Sequence, residues 1–313
     1  MPGGNVLRVM LQPLARRLPE PLKAPLRRRV QRRRDRNAGP PPPPLTRSEL
    51  WERDGYLVLA GLFDPAQARW AANGFDHAWA TRREHGRGVV IDAFVTGLGG
   101  TPRRMHLADA PDEAREQVYK LNDMYLVDDL VRSIVLAEPL VAAMRELVGD
   151  DVVAINSLHF ERGSSQQYHV DTYYMPPPTG GELIVSSICL EDVHPDSGPL
   201  QYFPSSHRLP PYLNADGDRR ARNVEELADA TAYFAAQCEQ HGLEETTFCG
   251  RAGDTFLWHE QLLHGGRAIA DMRRTRRSIV THYWTKSSMA PDADIVPYGA
   301  GFYLRRNPQS VQP

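Results

Sequence analysis

The sequence predicts a mostly β fold with flanking helices, a helical layer over about residues 45–150 followed by an antiparallel barrel or jelly roll over about 152–290. Two observations carry this prediction. Before Gly149 apolar residues recur at helical spacing; from Val152 onward the chain breaks into short β-rich runs separated by Gly, Pro, Asp and Ser clusters.

Residues 1–44 differ from everything after them, being rich in Arg and Pro and ending in a Pro40 to Pro44 run expected to form an extended spacer. Residues 1–37 carry 11 Arg or Lys against Glu20 and Asp35, a local charge of +9, which leaves −11 on the rest of a chain whose total is −2. Leu14, Leu18, Leu22, Leu26 and Val30 recur every four residues, but Pro19, Pro21 and Pro25 interrupt any helix there. The segment is expected to be a disordered basic arm, the alternative being a helix that docks on a membrane surface or a partner protein. The acidic body speaks against a phosphate-tracking groove, so nucleic acid is not expected as a substrate.

The folded domain is expected over 45–313. Thr46-Arg-Ser-Glu49 is a capping box that opens a helix. Tyr56 to Leu59 is a short strand, and a helix follows over about Pro65 to Arg83. A second helical stretch covers Asp129 to Leu147, with Pro139 kinking or restarting it and Gly149 closing it. Strands are expected at Val152–Phe160, Leu183–Leu190, Leu200–Phe203, Thr255–Trp258 and Ser278–Trp284. Ala-rich Asn223 to Gly242 reads as a helical insertion, over about 215–245, of the kind that borders active sites.

Composition is that of a soluble globular protein, 41% hydrophobic and 24% charged. Cys189, Cys238 and Cys249 match no zinc ribbon or redox pair and are expected to be reduced. With no run of eighteen apolar residues and no secretory signal, a cytoplasmic location is expected.

The chemistry points to Tyr168-His169-Val170-Asp171 and, 93 residues beyond the aspartate, Leu263-His264-Gly265-Gly266. Two imidazoles and a carboxylate occupy one face of an octahedral Fe(II) and leave three positions open. On a strand His169 and Asp171 share a face while Val170 packs behind them. His194-Pro195-Asp196 has the same spacing, but its proline and the following Ser-Gly-Pro read as a turn. His259-Glu260-Gln261-Leu262-Leu263-His264 resembles a zinc hydrolase helix only superficially, because its histidines are five apart instead of four. His259 is instead expected to sit behind a ligand, to face substrate or to lie on the surface, and Tyr173 and Tyr174 are expected close to the substrate pocket.

At these residues, and at Arg53 to Phe63, Gly198 to His207 and Gly253 to Trp258, the chain resembles the phytanoyl-CoA dioxygenase family of non-haem iron, 2-oxoglutarate-dependent oxygenases, over most of residues 45–290. The resemblance implies a cupin-like double-stranded β-helix and Fe(II) held by His169, Asp171 and His264. A dicarboxylate chelating that iron through its 2-oxo acid end leaves a far carboxylate, which a bidentate Arg276 with Ser278 on the same strand face would hold. Lys120 looks like the lysine that some members place near cosubstrate or substrate. The spacing from His264 to Arg276 is one residue longer than in the family, which leaves Arg274 and Arg277 as rivals. Tyr168 stands where many members carry Trp. Asp171 is present, where related halogenases carry Gly or Ala, so hydroxylation of a small organic molecule with O2, releasing succinate and CO2 and aided in vitro by ascorbate, is the expected reaction. The alternatives are a non-catalytic binding or scaffold member of the same fold and a zinc-dependent hydrolase.

Overall fold

The protein is described by a computed structural model covering residues 44–94, 103–179, 182–215, 217, 219 and 221–311. Every element below belongs to the unit Thr46–Pro313. The basic arm and most of its proline run lie outside the described residues.

Local signals set the first elements. Helix α1 (Arg47–Asp54) starts where the Thr46 side chain accepts the Glu49 N–H and the Glu49 carboxylate accepts the Thr46 N–H; it ends at Gly55, whose φ of 77° suits a residue without a side chain. Strand β1 (Tyr56–Leu59) follows, then α2 (Pro65–His85), capped by Asp64 with proline in its first turn. Helix α2 buries Phe75 and Trp79, large side chains each worth about 2 to 3 kcal/mol when removed from water. The Pro139 break is real: α3 (Asp129–Val135) stops and α4 (Glu138–Val148) restarts, closing at Gly149.

Residues 90–122, read from sequence as part of a helical layer, instead contribute β2 (Val90–Ala93), β3 (Arg103–His106) and β4 (Tyr119–Asn122). The remaining strands are β5 (Val152–Phe160), β6 (Leu183–Cys189), β7 (Leu200–Tyr202), β8 (Thr246–Phe248), β9 (Thr255–His259), β10 (His264–Gly266), β11 (Ser278–Thr285), β12 (Ile295–Tyr298) and β13 (Gly301–Leu304). Helix α5 (Val224–Gln240), capped by Asn223, is the insertion between β7 and β8. The large sheet runs β1-β9-β6-β11-β5-β4-β2-β3, with the β12–β13 hairpin joined to β5 through β13; the small sheet is β10-β7-β8. This is the jelly-roll arrangement expected, with helices on the outer face of the large sheet.

Alternation along the strands separates the two faces. On β11, Ile279 and Tyr283 join the helix-side core with Trp51, Phe75 and Leu140, while Val280 and Trp284 pack on the opposite side with Val185, Phe256 and Trp258. Pairing of β11 with β5 shifts by one residue between His282 and Tyr283, a bulge of the type that re-aims side chains beside active sites. Behind the small sheet, Phe234 and Ala230 of α5 pack on Val170, Tyr173 and Leu263. Among the described residues no helix is long and apolar enough to cross a membrane, and the three cysteines are free.

His159 on β5 is buried against Phe75 with its Nε2 unpartnered, and burial pushes its pKa down to about 3. The folded chain therefore refuses a proton that the unfolded chain accepts below about pH 6.5, so this contribution is complete above pH 6.5 and declines as pH falls toward the folded value. Between pH 6.5 and 5 the expected loss is about 2 kcal/mol. The stability of His159→Leu relative to the unsubstituted protein should rise by about 2 kcal/mol as pH falls through that window; a stability difference independent of pH would show that His159 does not titrate this way.

Candidate metal centre and its cavity

A single pair of reciprocal backbone hydrogen bonds makes the centre. His169 N–H donates to His264 O at 2.8 Å and His264 N–H donates to His169 O at 3.0 Å, which extends the small sheet by one bridge. Directly opposed residues project to the same side, and the two imidazole centroids lie 4.3 Å apart. Gly266 allows the 164–168 segment to run this close, since a Cβ there would stand 2.2 Å from Ser164 Oγ and 2.9 Å from Ser165 N. Val170 is extended and packs against α5, as the spacing predicted, but no regular strand continues: Asp171 opens a single turn of 3-10 helix, its N–H held by Glu260 O at 3.0 Å.

The three side chains converge. One donor atom from each of His169, Asp171 and His264 lies within 4.8 Å of the other two; His169 Nε2 is 3.6 Å from Asp171 Oδ1 and His264 Nε2 is 3.7 Å from Asp171 Oδ2. Each imidazole Nδ1 sits beside a backbone carbonyl, Gln167 O at 2.8 Å and Leu262 O at 2.9 Å. That pairing places the proton on Nδ1 and leaves the Nε2 lone pair for a cation. Burial, then the charge of His264, pushes His169 down to about 4, so it is neutral at pH 7, as a metal ligand must be. Burial alone would raise the Asp171 carboxyl, yet the surrounding His264, His282 and His169 imidazoles hold it well below the usual carboxylate range. Two imidazole nitrogens and one carboxylate oxygen are a donor set that fits Fe(II).

Two further groups orient Asp171, and neither was identified from the sequence. Trp258 Nε1–H donates to Oδ2 at 2.8 Å, and His282 Nε2 stands 3.5 Å from Oδ1. Partners behind a ligand are worth about 10- to 100-fold in metal affinity. Trp258→Phe keeps the ring and removes the donor, so its Fe(II) affinity should fall by about that factor. Unchanged affinity in an anaerobic titration would show the indole N–H to be incidental. His282 could have been found: counting by twos from Arg276 along the strand reaches it.

The metal-facing atoms open into a cavity of about 310 Å³. Arg276, Lys120 and Tyr174 line it, the Tyr174 ring lying 5.3 Å from that of His169. Arg276 N–H donates to Glu161 O at 2.9 Å, which carries the pairing with β5 beyond Ser278 and turns the guanidinium inward. It is 7% exposed, its Nε has no partner, and no carboxylate of the described residues pairs with it. Its rivals are engaged elsewhere: Arg277 with Glu161 at 2.6 Å and Asp76 at 3.3 Å, Arg274 with Asp271 at 3.6 Å. Ser278 is buried with its hydroxyl unpartnered.

Two expected pocket residues are placed elsewhere. Tyr173 donates its hydroxyl to Tyr212 O at 2.6 Å and packs on Phe234 behind the loop. His259 lies against Trp51 and His207, with Nδ1 accepting the Gln261 N–H at 3.0 Å. Both missed because the turn at Asp171 and the bend after β9 rotate them away from the face that sequence spacing assigns. The His194–Asp196 pair is half-exposed on a turn, outside this cavity. Glu260 of the hydrolase-like string accepts the Leu183 N–H at 3.0 Å and braces the metal loop instead of facing a metal.

The family model described as phytanoyl-CoA dioxygenase (PhyH) matches residues 51–277. The chain belongs to that family. This dioxygenase is 27% identical over 230 residues to an ectoine dioxygenase of Nocardia farcinica (strain IFM 10152), a match covering 69% of each chain. Among solved structures it is similar to EctD from S. alaskensis with 2-oxoglutarate and 5-hydroxyectoine, at a TM-score of 0.56 and 16% identity over 88% of each chain. It is also similar to SnoK, a non-heme α-ketoglutarate-dependent carbocyclase from nogalamycin biosynthesis, at a TM-score of 0.56 and 16% identity over 77% of this chain and 84% of that one. At these identities the two likenesses speak to the fold, the double-stranded β-helix of the non-haem oxygenases.

Proposed function

We propose that this dioxygenase binds Fe(II) through His169, Asp171 and His264, holds 2-oxoglutarate with Arg276 under its far carboxylate, and hydroxylates a small organic molecule with O2. The observation that carries this reading is an unpaired, buried guanidinium in the same cavity as three converging metal donors. A buried cation without a counter-ion is costly, and an incoming carboxylate relieves that cost through two parallel hydrogen bonds. Ser278, two residues along the same strand face, is buried behind the cavity wall with its hydroxyl unpartnered. When bound, the metal and cosubstrate supply O2 activation coupled to decarboxylation of 2-oxoglutarate to succinate and CO2.

The chain's own residues orient and exclude. Trp258 and His282 fix the Asp171 carboxylate from opposite oxygens. Leu158, Phe160, Met175 and Val280 give the cavity apolar walls that keep water from the reacting centre. Asn122 and Asn156 border the cavity with their amide N–H groups already committed, to Asp92 at 3.3 Å and to Asp123 at 3.0 Å. Full-chain protein loaded anaerobically with Fe(II) and 2-oxoglutarate should show a charge-transfer absorption that needs both, and should form succinate once O2 is admitted, faster with substrates than without. Protein that binds iron yet shows neither the absorption nor succinate would overturn the proposal.

A further inference from the structure

Arg276 stands in a stretch with no regular structure of its own. Residues 274–277 precede β11, which begins at Ser278, and Arg276 and Arg277 are adjacent and chemically alike. A one-residue slip at this end of the strand would exchange their faces and put Arg277 in the cavity. The group that decides between them is Glu161, on the opposite face of the sheet.

Glu161 follows the last residue of β5 and holds two consecutive residues of the facing chain by different means. Its carbonyl accepts the Arg276 N–H at 2.9 Å, while its carboxylate accepts Arg277 Nη2 at 2.6 Å. That carboxylate belongs to a residue only 3% exposed, and it also accepts Arg115 Nε at 3.2 Å, Arg115 Nη2 at 3.1 Å and the Tyr119 hydroxyl at 2.5 Å. Behind Tyr119, Trp79 of α2 donates its Nε1–H to the hydroxyl oxygen at 2.8 Å. Arg277 is fixed along its whole length. Its N–H donates to Glu191 Oε1 at 2.8 Å, its carbonyl accepts the Leu190 N–H at 3.0 Å, and its guanidinium lies 5.9 Å from the centre of the Phe75 ring on the helix side of the sheet. A buried carboxylate that loses a charged partner is costly, so the clamp resists any slip that would draw Arg277 out. Consecutive residues of an extended chain face opposite ways, and holding Arg277 on the helix side turns Arg276 into the cavity, where its Nε has no partner.

We infer that Glu161 is a positioning residue for 2-oxoglutarate, acting through Arg277 to present Arg276 to the far carboxylate. The inference rests on the oxygenase reading above, and a second 2-oxo acid separates the two in the test. 2-Oxobutyrate has the same chelating end as 2-oxoglutarate and lacks the far carboxylate, so a group that acts through Arg276 matters to one acid and not to the other. Full-chain protein and its Glu161→Gln, Arg277→Leu and Glu161→Gln/Arg277→Leu variants are loaded anaerobically with Fe(II), and each acid is titrated by its charge-transfer absorption. The unsubstituted protein should bind 2-oxoglutarate at least about tenfold more tightly than 2-oxobutyrate. Each single variant should weaken 2-oxoglutarate about tenfold and leave 2-oxobutyrate within about twofold. The double variant should be no weaker than the weaker single one, because the two side chains act as one pair. Arg277→Leu leaves Glu161 paired with Arg115 and Tyr119, so it carries the test if Glu161→Gln does not fold. Variants that bind 2-oxoglutarate like the unsubstituted protein overturn the positioning role, as do variants that lose both acids alike, the result of a merely structural clamp, or a double variant that loses the product of the two single effects. Absence of the absorption from the unsubstituted protein refutes the oxygenase reading and the positioning role with it, whereas an intact preference for 2-oxoglutarate in every variant refutes the positioning role alone.

Discussion

His169→Ala, Asp171→Ala and His264→Ala should each abolish substrate-coupled succinate formation and lower Fe(II) affinity by more than about 100-fold, beyond the range that groups merely supporting a ligand command. The three donors are a minimal set held within 4.8 Å of one another, so removal of one leaves two and no closed face for the metal. The fold should survive. His169 and His264 are joined through backbone hydrogen bonds that alanine preserves, and Val170 continues to pack on α5. The Asp171 variant carries a second consequence: Trp258 Nε1–H and His282 lose their common acceptor, leaving buried donors unpaired at about 1 to 3 kcal/mol each, so its melting temperature should fall further than that of the histidine variants. Succinate formation at the unsubstituted rate in any of the three would remove these residues from the chemistry.

Arg276→Leu has the next largest effect, and a different signature. The guanidinium is buried without a counter-ion, so its replacement by an apolar side chain costs the empty protein little and can stabilise it. The loss falls on 2-oxoglutarate, whose far carboxylate forfeits a bidentate charge-assisted pair. The KM for 2-oxoglutarate should rise by about 100-fold or more while Fe(II) affinity stays within about twofold. Arg276→Lys should recover part of the loss, since it restores charge without the fork. Steady-state kinetics at varied 2-oxoglutarate would assign the anchor elsewhere if Arg276→Leu left KM unchanged and Arg274→Leu or Arg277→Leu raised it.

The elements legible in the sequence are those with local causes. Thr46-Arg-Ser-Glu49, Asp64-Pro65 and Gly149 each act through hydrogen bonds or backbone geometry within a few residues, and each marks a helix end in the structure. The strands at Val152, Leu183, Thr255 and Ser278 are long or apolar enough to declare themselves. The strands that escaped notice are short and lack contrast: Val90–Ala93 is buried at every position, and Arg103–His106 is a charged sheet edge. Their place is set by neighbours, since β2 pairs β4 and β4 pairs β5, and four residues cannot announce such partners.

The site divides in the same way. The convergence of His169, Asp171 and His264 was legible because metal chemistry demands particular residue types, and the presence of Arg276 in the same cavity because its strand spacing sets the face it takes. Its extra residue of spacing from His264 did not move it outward: pairing with Glu161 fixes its orientation, and that pairing sends Arg277 to the opposite face. Tyr173 and His259 failed because adjacency in sequence was taken for adjacency in space across a turn. Trp258, Asn156 and Arg104 reach the cavity only through tertiary register, a property of strand pairing and of no local pattern.

The most direct measurement is a crystal structure of the full chain grown anaerobically with Fe(II) and 2-oxoglutarate, with diffraction recorded on both sides of the iron absorption edge. An anomalous peak at bonding distance from His169 Nε2, His264 Nε2 and an Asp171 oxygen, with cosubstrate density running from it to the Arg276 guanidinium, is the predicted result. Iron bound by any other residues, or a 2-oxoglutarate carboxylate resting away from Arg276, would contradict it.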